Sequence, residues 1–554
     1  TAFNSNGYTL NQNGGQTNGN GQEYVSWTFR KAPKFFDVVT YTGNGVQGRT
    51  ISHNLDNLVG MLIIKCTSHS SDWSVQHRML NPNKYLAINE NHSAQTDGLR
   101  FHSTAAGTST FSVGSGNAVN GSGRTYVAYL FAHHNTGNPG EFGPDSDQDI
   151  IKCGSFTKSA TSQTDINLGF EPQFIMVKNY STNGDWFVVD TMRGLTDHGG
   201  GSDETQAQGL RWNTNGEENA MDILEPTSTG FRVRDTHQML DGGEQFIYMA
   251  IRRGPLAAPE DATKVFAMDT RGSTGDGNEP AFRSTFPVDF ALVKDIDSGT
   301  NWTAKTRLMG QNDLNTNTTG AEQTANYNLF DYMNGHFARS NTESDKQSWM
   351  WKRARGYFDV VAEPIASNQM SGPASSSYNP SHNLGVVPEM IWVKDRDNSN
   401  DWAVYHSALG TSKKLVLNST AAESSSSWAV AADNFNYYQF GNSTGNAICY
   451  LFATVAGVSK VGSVNINSTS NFNVDCGFSN GARFVMVKAF NDTAPWYVSD
   501  SVRGINAASA DPLLFLNNTQ AQNTASDWIE PYSAGFTIKG NFYNGYNLIF
   551  YAIA

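Results

Sequence analysis

The sequence contains few of the residues on which disulfide-stapled, metal-binding or redox proteins depend. Only four cysteines occur among 554 residues, and no two of them form a Cys-x-x-Cys pair. They are Cys66, Cys153, Cys449 and Cys476. We expect all four to be small buried thiols, since large domains with real cores are stable without disulfides.

Charged residues and long apolar runs are also scarce. Charged side chains make up 16% of the chain, and the net charge of -13 comes without clusters of Lys and Arg, so nucleic-acid binding is not expected. No apolar run is long enough to cross a bilayer and no signal peptide is visible, which argues against membrane insertion. Helical periodicity is nearly absent, whereas Gly, Ser, Thr, Asn and aromatic residues are abundant. This composition indicates an all-β, turn-rich protein of the exported or virion type.

The most regular feature is a pattern that occurs five times. An apolar run ends in a lysine, and eight residues later stands a tryptophan, which Asp or Asn precedes in four of the five copies. Two β-type runs separated by a polar turn predict a hairpin. The lysines are Lys65, Lys178, Lys294, Lys394 and Lys488, and the tryptophans are Trp73, Trp186, Trp302, Trp402 and Trp496.

Five hairpins with one spacing predict five copies of one domain. The fold class is all-β, with tandem antiparallel β-sandwich repeats, Ig-like or jelly-roll-like, of about 95–115 residues. We place repeat one with its linker at 33–149, repeat two with its linker at 150–262, the divergent repeat three at 263–354, repeat four at 355–457 and repeat five at 458–554.

Repeat four illustrates the predicted strands. Its short apolar runs indicate strands that are buried on both faces, and the closing strands of repeats one and four are expected to be central. The strands are predicted at 357–362, 389–394, 402–406, 414–418, 435–440 and 447–453.

Residues 1–32 are interpreted as the terminal strands of an incomplete preceding unit. The stretch from Trp27 to Ala32 returns 322 residues later as Trp349 to Ala354, at the end of repeat three. The order of repeats is therefore a super-repeat of three units. Either the chain extends further N-terminally, or this strand pairs with something outside its own unit.

The recurring tryptophan is predicted to have a folding role. Its ring can plug one end of a sandwich, and the preceding Asp or Asn can accept backbone N–H groups in the turn. A ligand site would not need five copies. Further along each hairpin stands a glycine or asparagine that predicts a positive φ. These residues are Asn81, Gly194, Gly310, Gly410 and Gly504.

Candidate chemistry is limited to a few side chains. Asp395, Asp397 and Asp401 alternate on a turn and could supply oxygen ligands to Ca²⁺; the alternative, which we favour, is a solvated turn. His53 and His382 share a Ser-His-Asn-Leu context that predicts a hydrogen-bonded turn rather than a metal or acid–base site.

Signals for catalysis or sugar binding are weaker still. Glu225 and Glu530 could serve as glycosidase carboxylates, but they lie in different repeats, and we expect no enzyme activity. Loop aromatics could stack on sugars, the candidates being Trp212, Tyr437, Tyr438, Tyr543 and Tyr546.

One family resemblance rests on the motifs of repeat four. SHNLGVVPEMIWVK, DWAVYH, LVLNSTAAE and ICYLFA follow one another from Ser381 to Ala453. This pattern resembles a tandem β-sandwich repeat of large virion structural proteins of marine bacteriophages, including those of cyanobacteria. The resemblance implies a tail, fibre or capsid-surface component, and it implies homo-oligomerisation. It brings no catalytic residues.

The expected function is therefore that of a non-enzymatic virion structural protein, located in the extracellular virion, that contacts the host envelope. Its expected partners are copies of itself or other virion proteins, with host-surface glycans as a further candidate, and no cofactor apart from the candidate Ca²⁺. The first alternative is a bacterial surface adhesin or carbohydrate-binding array. The second is a polysaccharide-degrading enzyme.

Overall fold

The computed structural model describes residues 2–5, 7–10, 17–20, 22, 24–102, 104–135, 142–197, 208–221, 223–234, 242–270, 280–325, 328–338, 346–365, 380–437, 445–507 and 509–554. The fold is all-β, as predicted, and in these residues the one α-helix is the short α1 (Gly540–Tyr543). Short 3-10 turns occur at Ala262–Lys264, Arg307–Met309 and Ser407–Leu409. None of the described helices is long and apolar enough to traverse a membrane.

The strands are numbered along the chain. An N-terminal hairpin has β1 (Ala2–Asn4) and β2 (Gly7–Thr9). Repeat one has β3 (Phe36–Thr42), β4 (Arg49–Ser52), β5 (Val59–Cys66), β6 (Ser74–His77), β7 (Lys84–Ala87), β8 (Gln95–Thr96), β9 (Thr110–Val113) and β10 (Thr125–Ala132). Repeat two has β11 (Ile151–Thr157), β12 (Thr164–Asn167), β13 (Pro172–Asn179), β14 (Trp186–Asp190), β15 (Gln208–Arg211), β16 (Asn219–Ala220), β17 (Leu224–Thr227), β18 (Gly230–Val233) and β19 (Gln245–Arg252).

The other three repeats follow the same plan. Repeat three has β20 (Phe266–Thr270), β21 (Phe282–Arg283), β22 (Phe290–Asp295), β23 (Thr303–Thr306), β24 (Asn312–Asn315), β25 (Gln323–Thr324), β26 (Asn328–Leu329), β27 (Gly335–Ala338) and β28 (Lys346–Trp351). Repeat four has β29 (Phe358–Ile365), β30 (Met390–Asp395), β31 (Ala403–His406), β32 (Lys413–Val416), β33 (Ser424–Ser425), β34 (Trp428–Val430), β35 (Phe435–Tyr437) and β36 (Gly445–Phe452). Repeat five has β37 (Ser459–Ile466), β38 (Phe472–Asp475), β39 (Phe484–Ala489), β40 (Trp496–Asp500), β41 (Asp511–Phe515), β42 (Asn523–Ser526), β43 (Ile529–Tyr532), β44 (Gly535–Ile538) and β45 (Tyr546–Ile553).

Every repeat contains one six-stranded antiparallel sheet with the same strand order. In repeat four this order is β29-β36-β30-β31-β32-β33, so the closing strand lies between the first strand and the hairpin. The predicted hairpins and the central position of the closing strands are therefore confirmed. A smaller sheet of two or three strands accompanies each large sheet, as in the pair β34-β35.

The predicted strands of repeat four match the structure to within a few residues. The added strands β33 and β34 have two and three residues and lack a clear apolar alternation, which explains why the sequence did not indicate them. The predicted strand at 435–440 is present as β35, and its last three positions lie outside the described residues.

Alternate side chains of the hairpin strand enter two different cores. In repeat four, Ile391 and Val393 pack into a core that belongs to this repeat alone. Met390 and Trp392 point the other way, into a second core. Because successive side chains of a strand face opposite sides, a continuous apolar run is the expected signature of a sheet that is covered on both faces.

The described chain divides into two compact bodies. One comprises Thr1–Asn135 with Ile151–Gly154, and the other comprises Thr136–Ile150 with Ser155–Ala554. Within the second body, repeats three, four and five share the second core, which joins Trp302, Trp402 and Trp496 to the aromatic side chains of all three closing strands. These three repeats are therefore not sandwiches with entirely separate cores.

The start of the chain departs from expectation in one respect. The described residues 24–31 lie outside any strand, whereas their sequence counterparts form β28, which pairs with β20 on one side and β22 on the other. A strand needs a neighbour that pairs with it, and of these two corresponding segments only the one in repeat three forms a strand. The only strands before residue 33 are β1 and β2, among the residues that the structure describes.

Candidate functional site

The recurring lysines lie at the end of the first strand of each hairpin, next to the turn. Lys178, Lys294, Lys394 and Lys488 are buried, and each ammonium group donates to carbonyls of its own turn. Lys178 bonds Gly184 at 2.8 Å, and Lys488 bonds Ala494 at 2.8 Å. Lys65 also donates to its own turn, at Ser71. A lysine that follows the apolar run thus closes the turn by satisfying carbonyls that face inward.

In repeats three, four and five the same lysines also reach a neighbouring repeat. Lys394 of repeat four donates to the carbonyl of Thr319 in repeat three, at 3.1 Å. Lys488 of repeat five donates to Thr420 in repeat four at 3.0 Å. Lys294 of repeat three completes the cycle by donating to the carbonyl of Thr519 in repeat five at 3.2 Å.

The tryptophans make the same cycle of contacts through their indole N–H groups. Trp402 donates to the carbonyl of Asn315 at 3.0 Å, which joins repeat four to repeat three. Trp496 donates to Val416 at 3.0 Å, and Trp302 donates to Phe515 at 2.9 Å. The three seams therefore close a ring of three repeats, and the tryptophan acts between sandwiches instead of plugging the end of one.

A backbone hydrogen bond accompanies each seam. The N–H of Glu322 donates to Arg396 at 2.7 Å, the N–H of Glu423 to Phe490 at 2.8 Å, and the N–H of Gln522 to Ile296 at 2.8 Å. The contacts at each seam thus include one ammonium, one indole and at least one main-chain hydrogen bond. The repetition of this set gives the ring an approximate threefold symmetry.

An asparagine that our sequence interpretation missed holds each hairpin tryptophan in place. The Oδ1 atom of Asn418 accepts the backbone N–H of Trp402 at 2.9 Å, and its Nδ2 atom donates to Asp401 at 2.8 Å. The Asp or Asn before the tryptophan therefore binds a side-chain amide, not the backbone N–H groups that we predicted. The bridging asparagines are Asn89, Asn213, Asn317, Asn418 and Asn517.

The bridge was detectable in principle. Each of these asparagines follows the next strand of the sheet, 15 to 27 residues after its tryptophan. The spacing varies because the turn between the two strands varies in length, which hides the regularity. The four glycines Gly194, Gly310, Gly410 and Gly504 do have positive φ, as predicted. Asn81 does not, since among the described non-glycine residues only Lys34, Asp56 and Ser146 have positive φ.

Burial changes the titration of the seam lysines. It lowers the pKa of Lys394 to about 8, although Asp395 and Asp401 act in the opposite direction. The pKa values of Lys294 and Lys488 are lowered to about 8 for the same reason. An amine with such a pKa could serve as a nucleophile or base in a cleft, but these three face backbone carbonyls at the seams.

The candidate Ca²⁺ loop uses its carboxylates as hydrogen-bond acceptors. Asp395 is buried and accepts the N–H groups of Asp397 and Asn398, both at 2.9 Å. Asp397 accepts the N–H of Asn446 at 2.8 Å, while Asp401 binds Asn418. Among the described residues no group of three His, Cys, Asp or Glu side chains is arranged to hold a metal ion. The loop is thus an internally bonded turn in which Asp395 is buried, while Asp397 and Asp401 are exposed as expected for a solvated turn.

The histidines and glutamates that we singled out have structural partners. The Nδ1 atom of His53 accepts the N–H of Leu55 at 3.2 Å, and His382 accepts Leu384 in the same way at 3.4 Å, which fits the predicted turn. Burial lowers the pKa of both histidines.

The two glutamates lie in ion pairs and not in a shared cleft. Glu225 pairs with Arg234 at 2.6 Å. Glu530 pairs with Lys539, also at 2.6 Å. The four cysteines are free and buried, as predicted.

The candidate sugar-stacking aromatics are only partly available. Tyr437 and Tyr543 are buried, so neither can stack on a ligand at the surface. Trp212 and Tyr546 are partly exposed, and Tyr438 lies outside the described residues.

A polar cavity of about 270 Å³ lies between repeats two and four. Its walls include Arg252, Arg253, Arg355, His382 and Asp433. It adjoins a buried ion network that fastens these repeats to the end of repeat three, and it is wide enough for a small polar molecule.

Arg353 is the centre of that network. It donates from Nη1 to Glu171 of repeat two at 2.8 Å and from Nε to Asp359 at 2.9 Å. Burial alone would raise the pKa of Asp359, but Arg353 and Arg253 outweigh that effect and lower it. Asp359 is therefore ionised and paired with Arg353, which suits a permanent contact between repeats.

A family model described as "Domain of unknown function (DUF7483)" matches residues 1–255 and 268–554. The chain belongs to this family. A search of curated proteins finds no match. The second matched stretch contains nearly all of repeats three to five, and the first contains repeats one and two with the segment that precedes them. The two matched stretches together cover nearly the whole chain.

Proposed function

We propose that this DUF7483 protein is a non-enzymatic structural protein of a bacteriophage virion, a tail fibre, appendage or capsid-surface component that contacts the host envelope. The observation that carries the proposal is the use of the recurring side chains. In repeats three to five, the lysine and tryptophan of every hairpin join one sandwich to the next. What the chain repeats is therefore a means of assembly.

The resemblance of repeat four to phage virion repeats supports the same proposal. A ring of three sandwiches with one shared core resists local opening, since few of its strands can separate without exposing the aromatic side chains of a neighbour. Such rigidity suits a particle exposed outside cells. Homo-oligomerisation, contact with other virion proteins and binding of host glycans belong to the proposal as its expected partners.

Immunogold electron microscopy tests the location directly. Antibodies against the purified chain would be applied to phage particles and to cells from the culture that encodes it. Label on particle tails or surfaces supports the proposal. Label confined to the cell surface would instead identify an adhesin, and label on neither structure would reject both functions.

The adhesin alternative is favoured by one observation, the polar cavity between repeats two and four. Its arginine, histidine and carboxylate side chains could bind sugar hydroxyl or carboxyl groups. A glycan array probed with the purified chain, and with Arg252→Ala as the matched variant, tests this function. Binding that the variant loses would favour the carbohydrate-binding array.

A further inference from the structure

Repeat one is the sequence counterpart of repeat four, and the chain enters both in the same way. The N–H of Ala32 donates to the carbonyl of Phe36 at 2.9 Å, and the N–H of Ala354 donates to Phe358 at 2.9 Å. The residues before each turn also match in sequence at an offset of 322 positions. Repeat three precedes repeat four in the chain. An equivalent of repeat three could therefore lie in the same position beside repeat one.

The hairpin of repeat one also has the internal geometry of its counterpart. The ring centroids of Trp73 and Tyr129 lie 6.3 Å apart with nearly parallel planes. In repeat four, Trp402 and Tyr450 lie 6.1 Å apart in the same arrangement. The indole of Trp73 is therefore held in the orientation that, in repeat four, directs its N–H to a neighbouring repeat.

The two faces differ in what covers them. Trp402 and Tyr450 are fully buried, whereas Trp73 is 36% exposed and Tyr129 is partly exposed. In the part of the chain that the structure describes, no acceptor binds the indole N–H of Trp73. The exposure is local, because Met61 and Ile63 on the same strand face are buried. An exposed aromatic ring with an N–H donor, beside the ammonium group of Lys65, offers the features that a protein interface would cover.

The cover of repeat four shows what would fit this face. Repeat three supplies the carbonyl of Asn315 to Trp402 and the carbonyl of Thr319 to Lys394. It also supplies the ring of Phe290, which packs on Tyr450 with centroids 4.5 Å apart. A matching cover for Trp73 and Lys65 must therefore present one carbonyl at a strand end, one carbonyl in the loop that follows this strand, and an aromatic ring, with the spacing found in repeat three.

We propose that the face of repeat one around Lys65, Trp73 and Tyr129 is the docking surface of a further β-sandwich of the repeat-three type. This sandwich would close a seam equivalent to the one between repeats three and four. The proposal stands whether or not the protein is part of a virion.

A second copy of the described chain does not meet the requirement. Its repeat three already offers Asn315 and Thr319 to its own Trp402 and Lys394, and Phe290 is buried against Tyr450. The occupant is therefore a further sandwich of this type and not the repeat three of a second copy.

A chimera provides the test. Residues 263–354 would replace residues 1–32 of the full chain, joined at the turn that the two junctions share. Hydroxyl-radical footprinting would measure oxidation of Trp73 and Trp402 in the unmodified chain and in the chimera. We expect Trp73 to be oxidised much faster than Trp402 in the unmodified chain, and we expect this difference to be lost in the chimera.

A matched control places residues 355–457, a repeat-four sandwich, in the same position. It should leave Trp73 open to oxidation, because the tryptophan of each repeat in the ring of three donates its indole N–H to one specific neighbouring repeat. Equal protection by both sandwiches would overturn the assignment to the repeat-three type.

Other outcomes also decide the matter. If the added residues 263–354 stay sensitive to protease, or Trp73 is oxidised as before, the face does not accept this sandwich and the proposal is wrong. If Trp73 of the unmodified chain becomes protected as its concentration rises, the face binds a second copy, which also overturns the proposal.

Discussion

Repeat one and repeat four have the same sequence pattern, the same strand order and the same stacking of tryptophan on tyrosine. Yet Trp402 is fully buried while Trp73 is 36% exposed. The hairpin is therefore determined by its own repeat, whereas the burial of its tryptophan depends on a neighbour. One side chain thus has two separable roles, in the fold of a sandwich and in the joining of sandwiches.

The difference can be measured because each seam residue of repeat four has an unburied or differently placed counterpart in repeat one. Substitution of a matched pair separates the contribution of the seam from that of the hairpin. For each pair we compare the change in the free energy of unfolding of the full chain. Unfolding in denaturant is followed by circular dichroism. Where two transitions separate, each is assigned to one of the two compact bodies.

The largest difference is expected for the tryptophans. Trp402→Ala removes a buried ring and an indole bond to Asn315, and such truncations cost about 3–5 kcal/mol. Trp73→Ala removes a ring that water already reaches, and we expect a cost of about 1 kcal/mol. Equal losses of stability at the two positions would show that the contact of Trp402 with repeat three adds nothing to the free energy of unfolding.

The lysines should show a smaller difference. Lys394→Met keeps most of the apolar stem but leaves the carbonyls of Thr319 and Asp395 without a donor, at a cost of about 2–3 kcal/mol. Lys65→Met removes a partly exposed ammonium and should change stability by less than about 1 kcal/mol. If Lys394→Met stabilises the protein, the desolvation that lowers the pKa of Lys394 to about 8 outweighs its hydrogen bonds.

A pH-dependent difference is expected where repeat four meets repeat two. Burial raises the pKa of Glu363 from 4.5 to about 7, and nearby Asp197 adds to the effect. The folded protein holds this proton more tightly than the unfolded chain, so the contribution of Glu363 is full below pH 4.5 and is lost as the pH rises through 7. Position 41 of repeat one, the counterpart, is a tyrosine.

Glu363→Gln should therefore raise stability at pH 8, by about 2 kcal/mol, and change it little at pH 4.5. Melting temperatures of both proteins across this pH range provide the measurement. Glu530→Gln, in an ion pair with Lys539 at the surface, is the control and should not show this pH profile. A Glu363→Gln effect that is equal at both pH values would contradict the assigned titration.

The bridging asparagines should give a modest effect. Asn517→Ala leaves the buried N–H of Trp496 without its acceptor, which costs about 1–2 kcal/mol. At Asn89, which is exposed, water can replace the side chain, so Asn89→Ala should cost about 0.5 kcal/mol or less. A large loss of stability in Asn89→Ala would mean that the asparagine stabilises the hairpin even where its tryptophan is exposed.

These pairs also show how far sequence reasoning reaches. The continuous apolar run before Lys394 predicted a strand buried on both faces, and the glycine after the hairpin predicted a positive φ. Both depend on local physics that each repeat carries in its own sequence.

The ring could not be predicted in this way. The acceptors of Trp402 and Lys394 are backbone carbonyls, which every residue has, so no side chain in repeat three marks the contact. Residues 24–31 illustrate the converse, because their sequence resembles that of β28 but they do not form a strand. Contacts of the main chain between repeats leave little trace in a single sequence.

The smallest effect on stability is expected for the addition of calcium. The turn of repeat four is acidic, whereas the corresponding turn of repeat one is Cys66-Thr67-Ser68. A site saturated at a hundred times its dissociation constant would stabilise the protein by about 2.7 kcal/mol. Because Asp395 already accepts the N–H groups of Asp397 and Asn398, we expect neither Ca²⁺ nor a chelator to shift the melting temperature. Asp395→Asn should lower stability equally with and without Ca²⁺, since the loss concerns the turn. A Ca²⁺-dependent shift that this variant abolishes would instead establish a metal site specific to the acidic turn.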